Sequence, residues 1–167
     1  MGKVQQTFLN GCPGAVSRSV DDIIISVKNA GETDIPFGAP VFLGTGGAVP
    51  FSTSAPQAFT AFLGFAVRIA DKTPETYPSG QFNAAGSQAG AWKSGDVMEV
   101  LVRGSIALPL TDTGAAGGAV YVKKSDGTLQ AAAGESGATV ALENVHIRRP
   151  KDASGCCEAV VTGRNIL

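Results

Sequence analysis

The chain has 167 residues, enough for one compact domain with its own core, and its 13 Lys plus Arg against 14 Asp plus Glu leave a net charge of -1. That balance argues against nucleic acid as the main partner, because backbone binding rests on a positive field. Charged residues are only 16%, against about 25% in an ordinary globular protein, so Gly, Ala, Ser, Thr and backbone must cover the surface and little like-charge repulsion separates copies.

Residues 1–20 have weak periodicity, and Gly11, Pro13 and Gly14 break any helix. They read as an extended N-terminal arm with Phe8, Leu9 and Val16 as apolar anchors for a neighbouring surface. The start lacks the apolar core of a signal peptide, no run reaches the length of a membrane span, and Gln6 stands where a myristoylation motif wants Ser or Thr. No membrane partner is expected. Residues 21–167 read as a single β domain.

Residues 22–31 predict a first strand and a turn through Asn29 and Gly31. Residues 41–43 and 48–51 predict a hairpin joined by a Gly-rich turn. In 59–71 the alternation puts Phe62, Gly64 and Ala66 on one face and Leu63, Phe65 and Val67 on the other. A strand buried on both sides, or one that meets another subunit, has this signature, which makes Phe62 and Phe65 candidate contact residues. The stretch 72–95 predicts the longest loop, and Phe82 and Trp92 within it need burial that a neighbouring subunit can supply.

The stretch "SGDVMEVLVRGSIALPL", residues 94–110, is the most patterned. Met98, Val100, Val102, Ile106, Leu108 and Leu110 fall on one face at period two, with Glu99, Arg103, Ser105 and Ala107 on the other. Gly104 marks a bulge or close backbone approach. Beyond it, "AVYVKKSDGTLQ" predicts a hairpin with a type I′ turn at Asp-Gly, and "TVALENVHIRRP" and "CCEAVVTGRNIL" predict two closing strands. The expected fold is mainly β, a compact barrel or sandwich-like domain. A faint repeat that lays Val41-Phe42-Leu43 over Val120-Tyr121-Val122 points to two similar β-units.

Catalytic chemistry is poorly supplied. His146, the sole histidine, alternates with Val145 and Ile147 as an exposed strand residue. No GxSxG elbow occurs, and the carboxylates are scattered. "GTGGAV" lacks the GKS or GKT and the helix that a phosphate loop needs. Cys12, Cys156 and Cys157 have no metal-ligand spacing and read as structural thiols of a reducing compartment. No catalytic residue, metal or cofactor is expected. Arg103 is a snorkelling surface group or half of an ion pair across an interface, with Glu99 on its own face.

The order of a strand ending near Asn29, Gly-x-Pro-Val at 38–41, Gly-Phe-Ala-Val at 64–67, the Gly-Asp strand at 95–104 and Gly-Gly-x-Val-Tyr-Val at 117–122 resembles the structural cement, or capsid decoration, proteins of tailed bacteriophages. The resemblance runs over about residues 23–165. It implies a β subunit made in the host cytoplasm that forms homotrimers on the outer surface of the capsid, bridges neighbouring major capsid proteins and reinforces the shell, without catalytic residues or cofactor. Two other readings stand beside it. One is a tail or baseplate-type β subunit; the other is a carbohydrate-binding module that would use Tyr77, Trp92 and Tyr121 as platforms.

Overall fold

The computed structural model describes residues 9–51, 58–69 and 90–165, which are almost entirely β. The described strands are β1 (Val16–Lys28), β2 (Ile35–Pro36), β3 (Pro40–Gly44), β4 (Gly47–Pro50), β5 (Phe62–Ala66), β6 (Ala91–Trp92), β7 (Val97–Pro109), β8 (Ala119–Lys123), β9 (Leu129–Gln130), β10 (Thr139–Arg149) and β11 (Cys156–Val161), with one 3-10 turn at Phe59–Ala61. The main sheet runs β4-β3-β5-β7-β11-β10-β8-β9 with β1 added on β7, and β2 and β6 form a separate ribbon.

The long strand β7 organises everything else. On one side it pairs with β5 at Leu101 and with β11 from Gly104 to Pro109; along the other side runs β1, from Lys28 opposite Val97 to Val16 opposite Ile106. An isolated parallel bridge between Asn29 and Ala48 then joins the end of β1 to β4. The ring β1-β7-β5-β3-β4 encloses Val41, Ala48, Leu63, Ala66, Met98, Val100 and Val102, with Ile23, Ile25 and Val27 packed against them. Ile35, Phe37 and Trp92 from the β2–β6 ribbon complete this cluster, and the indole N–H of Trp92 donates to Val67 O at 2.9 Å. A second, larger core lies between the outer face of the ring and β8 to β11. It includes Phe42, Phe62, Phe65, Leu101, Ile106, Leu108, Val120, Leu142, Ile147 and Cys157. The fold is thus a curled half-barrel sheet whose two faces line the two cores, with β7 running through both.

Gly104 makes the sharing possible. Its φ is 121°, a value that L side chains rarely adopt, and the facing strand is out of register there. The irregularity shifts the alternation by one residue. Met98, Val100 and Val102 face the ring interior, whereas Ile106, Leu108 and Leu110 belong to the larger core. The six residues therefore do not share one face as period two predicts. A similar shift near Leu63, where β3 and β5 slip register, puts Phe62 and Phe65 in the same core with ring centroids 5.2 Å apart.

Other expectations are met or adjusted locally. The two hairpins form as predicted, at opposite ends of the sheet order. Phe42 enters the larger core, however, while its repeat counterpart Tyr121 stays half-buried outside it, so the two units differ in face. The Asp-Gly turn is not type I′, which needs positive φ at both central residues. Only Gly127 has it, at 73°, and Gly127 N–H donates to Lys123 O in a longer loop. Residues 16–20, read from the sequence as the end of the arm, are the first part of β1.

Candidate functional site

The sequence "SRSVDD", residues 17–22, interrupts the apolar alternation of β1 with polar side chains, and opposite it stands Gly104. Between the pairs Arg18–Ser105 and Ile23–Arg103 the strand carries four residues against one on β7. The extra chain arches away from the sheet. Asp22 fills the space left by the missing Gly104 side chain and accepts a hydrogen bond from Ser105 N–H at 3.2 Å. Asp21 pairs with Arg103 at 2.7 Å. Val20 sits 99% exposed on the arch. Beside it opens a hollow of about 430 Å³ lined by Arg18, Asp21, Asp22, Arg148 and Thr162.

The arch is tied to the sheet by a buried acid. Glu158 on β11 is buried and accepts hydrogen bonds from Arg18 Nε at 2.7 Å and Ser17 Oγ at 3.0 Å. Burial alone would push its carboxyl up. The hydrogen bonds from Arg18 and Ser17, with the charges of Arg18 and Arg148, outweigh burial and hold it below the ordinary carboxylate range.

Beyond the arch, β1 is an open edge among the described residues. Asn29 N–H donates to Asp96 O while Val67 N–H donates to Glu99 O, which fixes the phase on both sides of β7. Ile25 and Val27 therefore turn their backbone groups toward β7, and Ile24 and Ser26 turn theirs outward. Among the described residues no strand pairs with that outer edge before Ala48 meets Asn29. Protein edges are usually blunted by brevity, Pro or a central Lys. Beyond the arch, which is itself a bulge, β1 runs from Ile23 to Lys28 with no Pro, and Lys only at its last position. Ile24 is 42% exposed and Val97, beside its end, 67%. Such an edge can accept an added strand.

The predicted contact residues divide. Phe62 and Phe65 are 0% exposed and Trp92 3%, so their rings fill the two cores of this chain and present no surface to a partner. The sequence signal was sound, since β5 is buried on both sides, but the second layer comes from the same chain. Trp92 is equally unable to serve as a sugar platform. Val16 is half-buried against the larger core, while Leu9 and Arg103 lie on the surface. Arg103 meets Asp21 across the arch rather than Glu99. Phe8, Tyr77 and Phe82 lie outside the described residues, as does most of the 72–95 loop. Sequence reasoning missed Val20 and Ile24. The isolated valine in a polar run was the available sign of the first.

Among the described residues no group of three or more His, Cys, Asp or Glu is placed to hold a metal ion. A separate cleft of about 420 Å³ between the hairpins is lined by Pro36, Phe37, Pro40, Pro50, Phe51 and Leu129 among others. The sequence pattern of the family described as "Structural cement protein (E217 gp24/Pam3 gp6)" matches residues 3–162. The chain belongs to this structural cement protein family of phages. The family is one of structural phage proteins, not of enzymes. A solved structure titled "The capsid of Myoviridae Phage XM1" contains a chain of similar fold, with a TM-score of 0.67 at 16% identity over 96% of this chain and 95% of that one. No curated protein sequence matches the cement protein.

Proposed function

We propose that this cement protein docks on the outer surface of the capsid through β1 and bridges neighbouring major capsid proteins, with copies of itself grouped as homotrimers. The observation that carries the reading is the outer edge of β1, unpaired among the described residues, where Ile24 and Ser26 aim backbone groups outward beside the exposed Val20. An extended capsid-protein segment laid against it gains main-chain hydrogen bonds along the strand and apolar contact at Val20 and Ile24. Each contact is small, but an array of sites on a shell raises effective concentration and makes modest affinity sufficient. Sparse surface charge removes the repulsion that would oppose it.

Val20→Asp and Ile24→Lys, which place charge on the edge without touching either core, test this reading. Both variants should keep the parent circular dichroism spectrum and lose binding to expanded, undecorated shells by tenfold or more, on the order of 1.4 kcal/mol. Parent-like binding by both would remove β1 from the interface. Electron microscopy of decorated particles checks the homotrimer and the bridging position directly.

A further inference from the structure

The cysteines are free, and two of them are brought together by the fold. The segment before β1 lies across β7 and β11. Asn10 Nδ2 donates to Pro150 O at 2.8 Å and to Cys156 O at 2.9 Å, and Gly14 N–H donates to Ala107 O at 2.9 Å. A turn in which Ala15 N–H donates to Cys12 O at 3.0 Å sits between these anchors. Cys12 is thereby bracketed by the carbonyl of Cys156 itself and by Ala107, two residues from the Pro109 that pairs with Cys156. Strand alternation gives Cys156 the same face as Glu158, which meets Ser17 and Arg18 just after this segment, while Cys157 turns into the larger core. Cys12 is half-exposed and Cys156 is buried.

We propose that Cys12 and Cys156 form a reversible disulfide that staples the N-terminal segment to β11. The oxidant is a small-molecule disulfide such as oxidised glutathione. The Cys12 thiolate attacks one of its sulfurs, forming a mixed disulfide and releasing one glutathione thiol. Cys156 then gives up its proton and attacks the Cys12 sulfur, forming the protein disulfide and releasing the second thiol. Two protein thiols lose two electrons, one glutathione disulfide gains them, and the two protons end on the released thiols. Burial, chiefly, and the neighbouring Cys12 and Asp152 push the Cys156 thiol up to about 11, so the second step is slow at neutral pH and quickens as pH rises. On the capsid reading, the staple closes after the particle leaves the reducing host interior. The isolated protein suffices to test the chemistry, so its outcome does not depend on that reading.

The full chain is incubated with oxidised glutathione at about pH 8.5, near the ordinary thiol pKa, then denatured for thiol titration, mass measurement and peptide mapping, alongside Cys12→Ser and Cys157→Ser. The parent should lose about 2 Da, keep a single titratable thiol, link the Cys12 and Cys156 peptides, and melt on the order of 10 °C higher until dithiothreitol reverses the change. Cys157→Ser should form the same link with no thiol left, and Cys12→Ser should form none. Three titratable thiols in the treated parent, a glutathione adduct on Cys12 that never resolves, or a link to Cys157 would each overturn the assignment.

Discussion

Replacing Gly104 with alanine tests the junction on which both cores depend. At φ 121° a non-glycine residue is strained, at a cost of about 1–3 kcal/mol. A Cβ there would also overlap the Asp22 carboxylate and stand 3.0 Å from Asp22 Cα. The carboxylate can swing aside only by abandoning Ser105 N–H. Leaving that buried donor unpaired costs about 1–3 kcal/mol. The sum is about 2–6 kcal/mol, and with a urea slope of about 2 kcal/mol per M the unfolding midpoint should fall by roughly 1–3 M. Gly95→Ala is the control, because Gly95 also has positive φ, at 85°, but has open space around it. It should cost only about 1 kcal/mol. In the double variant, Asp22→Ala should weaken the effect of Gly104→Ala through coupling between the two sites. If Gly104→Ala costs no more than Gly95→Ala, the packing of Asp22 against Gly104 is not what shapes the arch.

Phe65→Ala should cost about 3–5 kcal/mol in urea melts, because the ring is fully buried against Phe62; a loss under about 1 kcal/mol would mean that the larger core is misdescribed. Glu158, Asp126 and Asp152 have carboxyls held below their ordinary range, despite burial at Glu158 and Asp152, by hydrogen bonds from Arg18, Thr128 and Ser154 in turn. Their contribution is complete above the unfolded carboxylate pKa, about 4, and is lost as pH falls through the folded values. Stability should therefore drop steadily below about pH 5, and Glu158→Gln should flatten that dependence; an unchanged pH profile in the variant would exclude Glu158 as a contributor. Arg103→Leu should leave folding within about 1 kcal/mol of the parent, since its pair with Asp21 is largely exposed; a larger loss in thermal melts would mean that the pair clamps the arch.

Much of the fold is legible because its signals are local. Alternation marks β8 and β10, and glycine turns mark the two hairpins. The face assignment along β7 was not legible beyond Gly104. A glycine announces an irregularity without saying that the next residue will repeat a face, and one repeated face exchanges cores for everything downstream. Phe62 and Phe65 show a second limit: a strand covered on both sides reads the same whether the cover is its own chain or a neighbour. The docking edge was partly hidden for a related reason. Ile24 follows the pattern of a buried strand, yet it stays exposed because Ile23, Ile25 and Val27 take the face that packs on the ring core and leave Ile24 on the opposite face of β1; three apolar residues in a row do not say which face the fold will cover.

Because β7 serves the ring core and the larger core at once, neither is complete without the middle of the sequence. β1 must find partners 69 to 90 residues further along, from Lys28 opposite Val97 to Val16 opposite Ile106, and β11 pairs with the same strand from the other end of the chain. Contacts of such long sequence separation slow folding toward the millisecond-to-second range of all-β domains. During synthesis β1 to β6 precede β7, so β1 emerges before the strand that pairs along its length. The interval before β7 appears is when the chain is most exposed to wrong pairing with another nascent copy. That hazard rises with the concentration of nascent chains, so at high expression the yield is governed by how quickly β7 arrives rather than by how stable the finished fold is.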